Sequence, residues 1–293
     1  MASLKDVRMK IAGVGKTKQI TKAMNMVASA KLRGAQTRME KFRSYADRFH
    51  AMLQNIVASE QELTHALLVP HEEVRNVAIL LATSDRGLCG AFNANIISKA
   101  FATARAKEAE GKKVTFHCIG RKGRDAVRKS GFSLAASLPG YMTDINFHTA
   151  DRIGHEVITG YIAHTYDEVI LVYSEFVSMM RQVPTVKHLL PLTPQEQAEE
   201  KKTPGNTTEY IFEPAGNALM NTLLPRVVKS LVYRGLLETS TSENAARMTA
   251  MDNATRNCDE LLRTLTRLFN KTRQAAITSE LIDIVGGVEA LKG

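Results

Sequence analysis

"LRGAQTRMEKFRSYADRFHAMLQNI" occupies Leu32–Ile56, and its apolar residues fall at Leu32, Ala35, Met39, Phe42, Ala46, Phe49, Leu53 and Ile56. The steps between them alternate 3 and 4. That is the heptad seam of a helix built to lie along another helix. Ile20, Met24 and Val27 give the same spacing nearer the N-terminus, and no proline interrupts residues 1–62.

A second seam lies near the opposite end. After Gly235 neither Gly nor Pro appears until Gly286, so about 50 residues could form some 75 Å of continuous helix. Its seam reads through Met248, Met251, Thr255, Cys258, Leu261, Leu265, Leu268, Thr272 and Ala275. Two long apolar stripes each need a cover, and an antiparallel coiled coil of the two termini covers both.

Between them the period changes. "VRNVAILLAT", "KKVTFHCIG" and "DEVILVYSEFV" are short β-branched apolar runs, separated or followed by the helical stretches "NANIISKAFATARAKEAEG", "RKGRDAVRKSG" and "HTADRIGHEVITGYIAHTY". Strands alternating with helices imply an α/β domain with a largely parallel sheet. A last strand and a polar, proline-containing loop follow in "TVKHLLPLTPQEQAEEKKTPGNTTEY". The expected fold is a long antiparallel coiled coil of N- and C-terminal helices with an inserted Rossmann-like α/β domain. Its boundaries are residues 1–62 for the first helix, 74–195 for the α/β domain, 196–213 for a polar loop and foot segment, and 214–293 for the second helix.

The composition sets limits. The chain has 293 residues, 44% hydrophobic and 24% charged, with no Trp and 6% aromatics, so a soluble globular protein with an aliphatic core is expected. No run of about 18 apolar residues would span a membrane, and "MASLKDVRMK" lacks the apolar core of a signal peptide. The cytosol or an equivalent compartment is the expected location. Cys89, Cys118 and Cys258 are odd in number and far apart, and the eight histidines include no H-x-x-x-H pair, so neither a disulfide scaffold nor a metal site is expected.

The net charge of +9 is confined to one segment. From Met1 to Val57 there are 12 Lys or Arg against 3 Asp or Glu, and the remainder is neutral at 27 against 27. An acidic partner along that segment is implied. Nucleic acid is the weaker choice, because the positive charges share a helix with an uninterrupted seam and aromatic stacking residues are sparse.

Three stretches invite a catalytic reading. Gly15-Lys16-Thr17 resembles the end of a phosphate-binding loop, but the pattern G-x-x-x-x-G-K-[ST] requires Gly where Lys10 stands, and a strand where "SLKDVRMKI" is helix-like. Two glycines inside a helix cost about 1 kcal/mol each relative to Ala, which points to local softness or close packing. "TSDRGLCGAFN" (Thr83–Asn93) sits where a strand meets a helix, yet Gly87-x-x-Gly90 falls short of a dinucleotide fingerprint and reads as a structural turn. Ser84 and Asp85 lack a nucleophile elbow. Glu175, Asp167 and His164 flank a strand, where single charged residues are expected to face water.

Together the pieces resemble the γ subunit of F-type ATP synthases. The resemblance rests on "ITKAMNMVASAKL" (Ile20–Leu32), "SDRGLCGAFN" (Ser84–Asn93) and "NKTRQAAITSELIDIVGGVEAL" (Asn270–Leu291), with "RQVPTVKHLLPL" and "AARMTAMDNAT" between. Gly287 departs from the family's usual Ala, a change between small residues. The resemblance implies a non-catalytic central-stalk rotor subunit of a proton-translocating ATP synthase. Such a subunit carries torque between the membrane c-ring and the catalytic head and has no cofactor or nucleotide chemistry of its own. It implies as partners the alpha and beta subunits of the head, an epsilon-type subunit and the c-ring, with no nucleic acid and with membrane contact only through the c-ring. It also implies a peripheral place on the cytoplasmic face of a bacterial inner membrane, or on the matrix side for a processed mitochondrial protein.

By the same resemblance Lys22, Met24, Arg273, Gln274 and Thr278 contact the catalytic subunits. Tyr210 and Glu213, in "EYIFEPAG", contact the c-ring. Two other classes stay open at this point: a stand-alone nucleotide-binding α/β protein with helical arms, and a nucleic-acid-binding coiled coil.

Overall fold

The computed structural model describes residues 4–59, 65–192 and 216–290. In chain order the elements are α1 (Leu4–Ser59), β1 (Asn76–Ala82), α2 (Phe92–Ala109), β2 (Lys113–Ile119), α3 (Arg121–Ser130), β3 (Ser133–Leu138), α4 (Phe147–Ile162), β4 (Glu168–Phe176), β5 (Gln182–Leu190) and α5 (Gly216–Ala290). They fall into two compact units, one of residues 4–29 with 247–290 and one of the described part of residues 30–246.

In the larger unit the strands form one sheet in the order β3-β2-β1-β4-β5. β1 is parallel to β2 and to β4, β2 is parallel to β3, and only β5 runs antiparallel, against β4. The central strand explains its own composition. Val77 through Ala82 are all buried, because both faces of a parallel sheet are covered and alternation with polar residues is lost. Ala78, Leu80 and Ala82 join a core that includes Val157, Val228 and Leu236, whereas Val77, Ile79 and Leu81 join one that includes Ile96, Phe116 and Val127. The two-residue period survives as a choice between two cores.

α2 supplies Phe92, Ile96, Ala100 and Ala104 to the second core, one buried residue per turn. β3 has no counterpart in the sequence reading. It is an edge strand of the small, mostly half-exposed residues Ser133–Leu138, so it lacks the apolar run that marks the others.

Within the same unit the Leu32–Phe49 part of α1 follows its heptad. Leu32, Ala35 and Met39 are buried, and Phe42 and Phe49 pack on the core. Phe42 meets Tyr233 of α5 edge to face at 4.7 Å. α5 lies close against β4, so a Cβ on Gly235 would come within 2.7 Å of Leu171. β4 also runs past its last β1 partner, Val172. There α5 takes over the bonding: the Ser174 amide donates to Thr239 Oγ1, and Ser242 Oγ donates to the Ser174 carbonyl, each at 3.3 Å. Thr239 and Ser242 are therefore buried with their hydroxyls bonded, and buried Thr241 donates to the Leu237 carbonyl at 2.9 Å.

In the smaller unit α1 and α5 pair antiparallel, since Lys18, Thr21 and Asn25 meet Asp259, Thr255 and Met248 in reverse order. Here the expected seams hold in part: Met248, Met251, Thr255, Cys258, Leu265 and Thr272 on α5 and Met24 on α1 are covered. Ile20 is 60% and Val27 57% exposed, whereas Val7, Thr21 and Ala28 are buried. On α5 the covered residues after Cys258 are Leu262, Leu265, Phe269, Thr272 and Ala276, while Leu261 and Leu268 face outward. The cause is local ambiguity. Leu261-Leu262 and Leu268-Phe269 are adjacent apolar pairs, and the true seam of α1 passes through Lys18, Thr21 and Asn25, which an apolar count skips. Cys258, expected to be buried on that seam, is half-buried; Cys89 and Cys118 are buried, and all three are free thiols.

Candidate functional site

The helix pair of the smaller unit holds three polar links across its seam. The Lys18 ammonium lies 2.5 Å from Asp259 Oδ1. The hydroxyls of Thr21 and Thr255 are 2.8 Å apart. Asn25 Nδ2 donates to the Met248 carbonyl at 2.8 Å. Apolar packing alone is non-directional, so these contacts select one pairing of the two helices.

The outward faces of this unit are basic and apolar. Lys5, Lys10, Lys16 and Lys22 are exposed along α1, and so are Met9, Ile20, Met26 and Val27. At the far end of α5 every residue from Ile277 to Val288 is exposed, including Ile277, Leu281, Ile282, Ile284, Val285 and Val288. An exposed apolar stretch of this size is the kind of surface that marks protein–protein contact. Gly286 and Gly287 lie within it with no atom within 4 Å of a Cβ built on either, which gives that end a narrow, smooth profile.

Of the candidate contact residues, Lys22 is exposed and Met24 half-buried on α1. Arg273, Gln274 and Thr278 are exposed on α5, with the Thr278 hydroxyl donating to the Gln274 carbonyl. They form two patches rather than one. Asn25 lies opposite Met248, and Arg273 is about 27 Å farther along α5 than Thr255 at 1.5 Å per residue. Tyr210 and Glu213 lie outside the described residues.

Gly15-Lys16-Thr17 is uninterrupted helix, with Thr17 Oγ1 donating to the Gly13 carbonyl. Among the described residues no strand or loop precedes it. Close packing does not explain Gly13 or Gly15 either, since a Cβ on each would meet nothing within 4 Å.

"TSDRGLCGAFN" occupies the place where a doubly wound sheet binds ligands. The chain leaves β1 for β2 and β3 on one side and returns from β3 through α4 to β4 on the other, and such switch points open a crevice at the carboxyl ends of the strands. In this protein the crevice carries its own anion. Asp85, buried, accepts the amides of Arg121 at 3.0 Å, Gly140 at 2.7 Å and Met142 at 3.2 Å. Arg121 is the first residue of α3, so the carboxylate also sits at that helix's positive end. Thr83 Oγ1 accepts the Gly123 amide at 2.8 Å, and Gly120 at φ 99 passes so close that a Cβ would lie 2.1 Å from the Thr83 carbonyl oxygen. Asn93 closes the turn by bonding Ser84. A phosphate brought here would meet a carboxylate already holding the donors.

Of the three residues expected to face water around β4, His164 is exposed, Glu175 is half-buried and Asp167 is buried. Asp167 is buried because Oδ2 accepts the Arg75 and Asn76 amides at 2.9 and 2.8 Å and Oδ1 faces His71. Its neighbour Glu168 is chelated by Lys107 at 2.8 and 2.9 Å and lies 2.9 Å from His188. Burial opposes ionisation of Glu168, but the bonds and charges of His188 and Lys107 outweigh it and hold the carboxyl at about 2. These are ties between α2, β4 and β5 rather than a reaction centre. Burial likewise lowers the His117 pKa, against the charge of Glu156, and raises the Cys118 thiol to about 12.

Comparison with known proteins agrees with this geometry. The chain matches the family described as ATP synthase over residues 3–291. It is 57% identical to the ATP synthase gamma chain of Nitratidesulfovibrio vulgaris (strain DSM 19637 / Miyazaki F) and 53% identical to that of Lawsonia intracellularis, covering 100% of both chains in each case. Among solved structures, a chain in the central stalk and c-ring of Tetrahymena thermophila mitochondrial ATP synthase is 28% identical with a TM-score of 0.59, covering 80% of this chain and 99% of that one. A chain of the Euglena gracilis mitochondrial ATP synthase, solved with OSCP, F1 and c-ring, shares the fold with a TM-score of 0.69 at 22% identity, over 98% of this chain and 94% of that one. With the family matched almost end to end and relatives above half identity at full length, the chain belongs to the gamma-chain family of ATP synthase.

Proposed function

We propose that this chain is the central-stalk rotor subunit of a proton-translocating F-type ATP synthase, carrying torque between the c-ring and the catalytic head. It is a non-catalytic part of that complex, and ATP is made or hydrolysed on other subunits. The observation that carries the reading is the smaller unit: an antiparallel helix pair, internally pinned, whose outside is basic along α1 and apolar at the end of α5. Exposed lysines suit transient pairing with acidic loops, because a solvated ion pair is worth about 0–1 kcal/mol and breaks easily. An apolar end suits a bearing, since it makes no directional bonds that would stop rotation.

In this reading Lys22 and Met24 form one contact with the catalytic subunits, and Arg273, Gln274 and Thr278 a second, farther along α5. The α/β unit, with an epsilon-type subunit, stands on the c-ring, and Tyr210 and Glu213 meet its loops. No described helix is long and apolar enough to cross a membrane, and the chain is peripheral in a membrane-associated complex. We place it on the cytoplasmic face of a bacterial inner membrane.

The test is affinity purification of the tagged chain from detergent-solubilised membranes of its source. Recovery of the other synthase subunits with ATPase activity supports the reading, and recovery of the chain alone or with nucleic acid overturns it. Titration of the isolated chain with ATP separates the nucleotide-binding alternative, which requires saturable binding lost in Lys16→Ala. Asp85 in the strand-end crevice and the helical setting of Lys16 weigh against that alternative.

A further inference from the structure

His71 lies more than 90 residues before His164 and Asp167, yet the fold of residues 30–246 gathers the three where β1 and β4 begin. One potential ligand atom from each lies within 4.8 Å of the other two. His71 Nδ1 is 3.0 Å from Asp167 Oδ1. The His71 ring stacks on Tyr161 at 4.4 Å and lies 4.2 Å from the His164 ring.

Two of the three groups are held rigidly. Asp167 commits Oδ2 to the amides of Arg75 and Asn76, which leaves Oδ1 turned towards His71. Tyr161, against which His71 lies, is buried and anchored by its hydroxyl to the Val69 carbonyl at 3.0 Å. The third group is exposed, and its backbone is unusual. His164 follows the end of α4 at φ 54, with its amide donating to the Tyr161 carbonyl. That left-handed position after a helix is where glycine is favoured. The fold alone does not call for an imidazole there.

The geometry points to a surface site for a divalent transition-metal ion, Zn2+ foremost, held by His71 Nδ1, Asp167 Oδ1 and a ring nitrogen of His164, with water completing the coordination. At metal–ligand distances of about 2.1 Å, a 3.0 Å gap between nitrogen and oxygen subtends about 90°, and opening it to about 3.4 Å gives the tetrahedral angle. His164 has to close by no more than about 1.4 Å, a rotamer adjustment for an exposed side chain. The ion takes the place of the Nδ1–Oδ1 hydrogen bond, and the neutral ring that binds it through Nδ1 carries its single proton on Nε2. Two imidazoles with one carboxylate suit zinc and its neighbours, whereas calcium and magnesium prefer all-oxygen sets. The amide bonds to Oδ2 supply the outer support that metal-bound carboxylates usually have.

The experiment is calorimetric titration of the purified full chain with ZnCl2, repeated on His164→Gly. That substitution suits the left-handed backbone and removes no core contact. The expected result is one tight equivalent of zinc at micromolar affinity, weakened at least about tenfold in His164→Gly, with the melting temperature of the metal-free variant unchanged or raised. Co2+ substitution should give visible bands of a nitrogen–oxygen site that disappear in the same variant, and Mg2+ should not compete. Zinc binding that survives intact in His164→Gly locates the ion elsewhere and overturns the inference. Absence of binding up to about 100 µM zinc also overturns it.

Discussion

The Gly140 amide donates to Asp85 Oδ1 at 2.7 Å, and the same carboxylate holds the Arg121 and Met142 amides. One buried side chain thus fastens the start of α3 to the turn after β3. Asp85→Asn removes the charge and leaves an amide group facing donors. Bonds to a charged acceptor are worth about 1.5–3 kcal/mol, so a loss of about 2 kcal/mol in urea-unfolding stability is expected. A change below measurement error would show that the cluster is not structural.

Glu168 gives the larger unit a pH dependence of known sign. Its folded pKa, about 2, lies below the unfolded value near 4.5, so its stabilisation is fully present above about pH 5. It is lost progressively as pH falls from there towards 2. Glu168→Gln should cost on the order of 2 kcal/mol at pH 7 and flatten the stability profile between about pH 5 and 3. Equilibrium unfolding at a series of pH values, compared with the unaltered chain, provides the check.

The seam phase is open to chemical cross-linking. In a Cys258→Ser background, Thr21→Cys with Thr255→Cys should oxidise to a disulfide in high yield, because the two hydroxyl oxygens are 2.8 Å apart. Ile20→Cys with Thr255→Cys should not, because Ile20 faces outward. Mobility on non-reducing gels reads both outcomes, and equal yields would refute the pairing.

Met24→Lys is expected to leave assembly largely intact and to loosen coupling in the holoenzyme. Met24 is half-buried on α1 beside exposed Lys22, and an added cation there would overbind acidic loops of the head. The readout is proton pumping per ATP hydrolysed in membrane vesicles. An unchanged ratio removes Met24 from the contact.

The sequence carried the architecture well, because heptads and β-branched runs report the shape of the surfaces that must be buried. The Leu32–Phe49 seam and the strands β1, β2 and β4 were legible for that reason. The phase of the helix pair near Thr21 was not, because polar residues occupy it and bond across it. β3 escaped as an edge strand with little to bury. Asp167 looked solvated because its partners, at His71, Arg75 and Asn76, are distant in sequence. The same distance hid the grouping of His71 with His164, which no short ligand motif announces.

A seam of leucines alone nearly repeats itself every seven residues, so one helix could slip along its neighbour by about 10 Å and pack almost as well. The Thr21–Thr255 hydroxyl pair does not recur at that offset, in either direction. A pair slipped by seven residues would set Thr21 against Met248 or Leu262 and break its hydroxyl pairing with Thr255. Under load the two helices therefore behave like a splined axle: strain that would otherwise dissipate as creep between them is stored and handed on.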